Sequence, residues 1–62
     1  MRFVHLLTFL RMCGYDCTVA ACRRDTGEVF RIAPLKFFGI LGIDLIVYSF
    51  NYDGRFLVVY LE

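Results

Sequence analysis

Residues 9–27, FLRMCGYDCTVAACRRDTG, and residues 37–54, FFGILGIDLIVYSFNYDG, repeat one pattern, and reading them together decides the fold. With one residue skipped before the last Gly, Phe9 aligns with Phe37, Gly14 with Gly42, Asp16 with Asp44 and Val19 with Val47. Asp25 then meets Asp53 and Gly27 meets Gly54, so all four Asp and four of the five Gly are paired. Self-similarity at a fixed offset points to a repeated structural unit. Here the unit reads as helix, Gly-x-Asp, strand, turn, strand, covering approximately 9–34 and 37–61 of a single domain.

Each element follows from its residues. Over 2–13 the polar residues Arg2, His5, Thr8 and Arg11 recur every third position, which predicts a helix. Its expected apolar side is wide: Phe3, Val4, Leu6, Leu7, Phe9, Leu10 and Cys13. Gly14 stands where a left-handed C-terminal cap belongs. From Cys17 the period changes. Residues 17–22 and 29–33 read as strands joined by Asp25-Thr26-Gly27, with the Gly supplying positive φ. That register sets Arg24 opposite Glu28, Cys22 opposite Phe30 and Ala20 beside Ile32. Pro34 suits the first position of a second, shorter helix over 35–41, which Gly39 weakens. Residues 43–51 and 55–61 form a second hairpin turned at Asp53-Gly54. The expected architecture is α+β: two tandem αββ units, an antiparallel sheet and helices on one face.

Composition supplies the next constraint. Of 62 residues 60% are hydrophobic, against roughly 45–50% in soluble domains. A chain of this size buries only about 60% of its unfolded surface. The surplus predicts self-association or a partner. The second hairpin is apolar on both faces, and strands of that kind are covered on both. Leu45, Val47, Phe56, Val58 and Tyr60 are therefore the expected oligomer interface.

No stretch offers the roughly 20 apolar residues of a membrane-spanning helix. Met1 to Cys13 lacks a small-residue cleavage site and does not read as a signal peptide. Three cysteines, Cys13, Cys17 and Cys22, fit reduced thiols in a cytoplasm better than a disulfide scaffold. Their C-x3-C-x4-C spacing lacks the tight knuckle of zinc sites, so no metal and no cofactor is expected.

Candidate chemistry is sparse. Asp25-Thr26-Gly27 is the aspartic-protease tripeptide, but Arg23, Arg24 and Glu28 surround it, and that chemistry needs an apolar setting. It reads as a turn. Asp16 and Asp44, each two residues after a helix-ending Gly, suit backbone capping better than a paired-carboxylate site. His5 has no nucleophile at a useful spacing. No catalytic residue is assigned, and an enzyme is not expected. The net charge of +1 gives no global field for nucleic acid, yet six Arg stand against one Lys. Arg23 and Arg24 beside the first turn, Tyr52 and Arg55 beside the second, and Arg2, His5 and Arg11 along the helix are the candidate binding residues. Arg with Tyr grips phosphates and stacks on rings. The chain reads first as a small homo-oligomeric protein that binds and blocks or regulates a larger protein. A binder that sequesters an anionic or nucleotide ligand between subunits is the alternative, and a nucleic-acid-binding module is a second one.

Overall fold

A computed structural model describes residues 1–38 and 45–62. The element order is α1 (Phe3–Met12), β1 (Thr18–Arg23), β2 (Val29–Pro34), a 3₁₀ turn (Leu35–Phe37), β3 (Val47–Tyr52) and β4 (Phe56–Leu61). The class is α+β, as the sequence predicts, but the sheet is mixed rather than antiparallel. Its order is β2-β1-β4-β3, with both hairpins antiparallel and β1 lying parallel to β4. The centre thus holds the first strand of one hairpin and the second strand of the other. The strands expected to be equivalent, β1 with β3 and β2 with β4, take inequivalent places, so the sheet does not show the expected tandem arrangement.

Helix α1 starts without a side-chain cap; instead the Phe3 N–H donates to Leu45 O at 2.8 Å. A tertiary carbonyl therefore satisfies one of the orphan donors at the helix start. The helix ends as its Gly predicts: Gly14 has φ +79°, its N–H donates to Arg11 O, and Tyr15 N–H donates to Leu10 O. That pair of bonds is the Schellman arrangement. The buried stripe is Phe3, Leu6 and Leu7, with Leu10 packed beside them. It is narrower than the expected face, since Phe9 and Cys13 are exposed. One helix lying on one sheet needs only a stripe about 100° wide.

The core lies between that stripe and one face of the sheet. Cys17, Val19, Ala21, Leu57, Val59 and Leu61 line the sheet side, and Leu35 and Phe38 close one flank. Phe3 meets Phe38 edge-on, with ring centroids 5.5 Å apart. The second helix expected over 35–41 is a 3₁₀ turn as far as Phe37; 39–44 lies outside the described residues. Phe38 is already extended, with ψ 108°, and Pro34 sits before the turn in a β2 ladder position rather than inside a helix.

The hairpin register needs two corrections. Ala20 faces Ile32 as expected, but a bulge after Ala21 sets Cys22 opposite Val29 instead of Phe30. Arg23 rather than Arg24 meets Glu28, through Arg23 N–H to Glu28 O at 2.9 Å. Gly27, at φ +72°, completes the turn.

Arg11 joins the helix to the segment beyond β2. Its Nη2 donates to Leu35 O at 3.1 Å and to Phe38 O at 2.8 Å. Both carbonyls sit where the chain leaves regular structure, and Leu35 O also accepts from Phe38 N–H at 3.2 Å. Hydrogen bonds to charged groups contribute roughly 1.5–3 kcal/mol. Arg11→Met, which keeps the aliphatic stem, is expected to lose about 2 kcal/mol in urea unfolding. Both bonds leave the single Nη2 nitrogen, so Arg11→Lys should recover only part of the loss, because its ammonium ends one atom short of that position.

Candidate functional site

The parallel pairing of β1 and β4 fixes where the candidate residues lie. Strands running the same way put the β1–β2 turn at one end of the sheet and the β3–β4 turn at the other. The two Arg-bearing turns are therefore separated by a strand length, about 20 Å for six residues. Within one chain the structure does not bring Arg23 and Arg24 together with Tyr52 and Arg55.

At the first end, Arg24 Nη1 bonds Glu62 Oε1 at 2.7 Å, and its guanidinium lies 4.1 Å from the Tyr48 ring centroid. Arg23 lies over Phe30 at 5.9 Å. Arg23, Arg24, Phe30 and Glu62 border an open groove of about 590 Å³ that also includes Asp25 and Leu45. Two guanidinium groups and two carboxylates share this groove, so the local charge is balanced and Arg24 is already engaged.

At the opposite end, Tyr52 meets Tyr15 edge-on at 5.5 Å and donates its hydroxyl to Gly54 O at 3.1 Å. Burial pushes the Tyr52 hydroxyl above its ordinary value, and Cys17, Tyr15 and Asp53 add to this. Arg55 borders a shallow groove with Asp16, Thr18 and Lys36. The remaining candidates are dispersed: His5 is exposed on the outer side of α1, Arg2 bridges Ile46 through its backbone, and Arg11 is the clamp described above.

The five expected interface residues divide by face. Phe56, Val58 and Tyr60 lie on the side of β4 away from the helix, because Leu57, Val59 and Leu61 take the core side. Val47 packs against the core, and Leu45 borders the Arg groove. The helix-free face continues across the sheet: the register sets Ala20 between Ile32 and Val58, and Cys22 between Val29 and Tyr60. Ile32 is 62% exposed and Phe56 48%. The small Ala20 and Cys22 lie low between these taller neighbours and are buried even without a second layer. Ile32 was the residue missed from sequence. Its alternation placed it on a face, but only the sheet order shows that this face has no covering element among the described residues.

All three cysteines are free. Burial, reinforced by the Asp16 carboxylate, raises the Cys17 thiol, and burial raises Cys22. Both are held as weakly acidic thiols, Cys17 on the core side just before β1 and Cys22 on the opposite face of that strand. Among the described residues no cluster of three or more His, Cys, Asp or Glu could hold a metal ion. Nor is any helix among them long and apolar enough to cross a membrane. No known protein family, curated protein or solved structure matches this chain.

Asp53 has the clearest electrostatic role. Its Oδ1 accepts from Arg55 N–H at 2.9 Å and Phe56 N–H at 2.8 Å, closing the β3–β4 turn. Those backbone bonds, led by Phe56, hold its carboxyl below the ordinary 3.8. A carboxyl depressed by folding adds stability that is complete above its unfolded value and is lost as pH falls through its folded one. Urea unfolding is expected to weaken steadily below about pH 4. Asp53→Asn, which keeps the acceptor oxygen, should flatten that part of the pH profile; an unchanged slope would assign the acid sensitivity elsewhere.

Proposed function

We propose that this chain is a non-enzymatic, self-associating interaction protein of the inhibitor or regulator type. It binds a larger protein through the sheet face that α1 leaves uncovered. One observation carries this reading: the central strands are apolar on both sides, yet among the described residues only one side has a layer over it. Contiguous exposed apolar surface of this kind marks interaction sites in soluble proteins. Its shape supports a protruding partner element. Ala20 and Cys22 form a low central strip between the higher Ile32 and the Val58–Tyr60 row, and such a trough accepts an inserted apolar ridge.

The face can be changed without touching the core, because surface substitutions cost little stability. In Ile32→Lys combined with Phe56→Ser, binding of an apolar dye is expected to fall several-fold while circular dichroism is unchanged. Capture of a partner that excess free wild-type protein competes away should be lost with it. A wild-type chain that binds no dye, or a double variant that captures the same partner equally, overturns the reading.

The Arg23 groove supports a second reading, a small anionic or nucleotide ligand held between subunits. Its volume of about 590 Å³ suits a ligand of that size, and Arg23 has no acidic partner among the described residues. That reading predicts a melting temperature rising with the logarithm of nucleoside phosphate concentration, and no rise in Arg23→Ala. A flat wild-type titration removes it.

A further inference from the structure

We propose that the outer edge of β3 joins this protein to a second copy by antiparallel strand pairing, with a two-fold axis at Asn51. The inference deepens the self-association in the reading above, but it rests on backbone geometry rather than on the open sheet face.

Alternation along β3 shows which groups point outward. Asp53 N–H donates to Phe56 O across the hairpin, and Asn51 and Ser49 stand opposite Val58 and Tyr60 in the same phase. Ser49, Asn51 and Asp53 therefore turn their backbone groups to β4, while Phe50 and Tyr52 turn theirs outward. Among the described residues the only segment on this outer edge is Met1–Phe3. It binds just the beginning, with Val47 N–H donating to Met1 O at 2.7 Å and Phe3 N–H to Leu45 O at 2.8 Å. The edge thus already accepts an antiparallel strand over Leu45–Val47 and, among the described residues, leaves Phe50 and Tyr52 open.

The two edges of the sheet are also protected differently. On β2, Leu35 N–H donates inward to Cys17 O, so Pro34 occupies an outward position, where its missing N–H leaves nothing to pair. β2 also carries Arg31 and a bulge. Proline, charge and bulges are the usual guards against edge pairing. β3 reads VYSFNY, with no charge and no proline. Its only irregularity, between Val47 and Ser49, precedes the open portion.

A two-fold axis at Asn51 sets Phe50 of each chain opposite Tyr52 of the other. The outward groups of these two residues then form four main-chain hydrogen bonds, and no like charges meet. Both side chains lie on the helix side, since Phe50 stands opposite Val59 and Tyr52 opposite Leu57. There they border a cavity of about 160 Å³ between β3 and the end of α1, together with Leu10, Tyr15, Cys17 and Leu57. An apolar space of roughly 150 Å³ takes one aromatic ring. The second copy's Phe50, opposite Tyr52, stands at its mouth. An aromatic cross-strand pair and a filled cavity add to the main-chain bonds.

The chain is short enough to synthesise, with ligation at Cys22, so single backbone N–H groups can be methylated. Sedimentation of the unmodified chain is expected to show a dimer, and N-methylation at Phe50 to give a monomer with unchanged circular dichroism. N-methylation at Ile32, outward on the other edge, should leave the dimer intact. A monomeric unmodified chain, or a dimer that survives methylation at Phe50, overturns the proposal. Should the methylated chain not fold, Asn51→Lys gives a second reading. Two lysines then face each other at the axis, and dissociation should rise about tenfold and recover in high salt. An unchanged dissociation constant overturns the proposal. Ile32→Lys leaves this dimer unaffected, so failure at the edge and failure at the open face are told apart.

Discussion

The parallel pairing of β1 with β4 is the constraint on which the rest of this structure depends. It runs unbroken from Thr18 against Phe56 to Arg23 against Leu61, and each end is continued by a backbone bond. Thr18 N–H donates to Arg55 O and Arg24 N–H to Leu61 O. Parallel neighbours need a connection that leaves the sheet and returns, and here its described start, Leu35 to Phe38, packs into the core on the helix side. The same pairing pushes β2 and β3 to the edges, so the chain has two protected central strands and two exposed outer ones. Everything proposed about interaction follows from that division.

Local signals were legible in the sequence, and the pairing was not. The Gly14 cap, the positive φ of Gly27 and Gly54, and the two hairpins are each decided within a few residues by steric and hydrogen-bond rules. Ala20 beside Ile32 follows from alternation once the turn is known. Nothing local sets β1 against β4 rather than β2 against β3. Both choices bury similar apolar side chains, and the residues that separate the strands do not reveal which way the chain returns. The bulge at Cys22 was unreadable for a related reason: it moves one residue without changing the composition of either strand. The repeat had a further blind spot, since Gly42 and Asp44 lie outside the described residues, and of the Asp and Gly pairs only those at the turns can be compared. In those, Gly plays the same conformational part twice. The capping acceptor differs: Asp53 Oδ1 serves the second turn, and Thr26 Oγ1, accepting from Glu28 N–H, serves the first.

The candidate site was legible in residue type but not in grouping. The richness in Arg invited a shared anionic site, yet three physical circumstances divide it. Opposite ends of a parallel pair separate the two turn clusters. Arg24 is engaged by Glu62 and the Tyr48 ring, and Arg11 serves two carbonyls of its own chain. A guanidinium spent on backbone acceptors is a structural group, and sequence gives no sign of it when the acceptors lie 24 and 27 residues away. The surplus of apolar residues is a signal of a different kind. It depends on a count rather than on an arrangement, and among the described residues one helix covers only one side of four strands.

The open face and the β3 edge therefore answer different needs. A face stabilises association by removing apolar area from water, which is nondirectional and suits a partner of varied sequence. An edge supplies directional main-chain bonds, and a two-fold axis makes it complementary to itself without further design. Small chains rarely gain more than about 3–5 kcal/mol from a single core. Pairing at the edge would extend the core by filling the space between Phe50, Tyr52 and the helix end while leaving Ile32, Val58 and Tyr60 free. Two copies would then present two open faces on the same side of one continuous sheet, because a two-fold axis perpendicular to the sheet keeps both helices on the other side. Such an arrangement doubles the apolar surface available to a partner without exposing any residue that the single chain keeps buried.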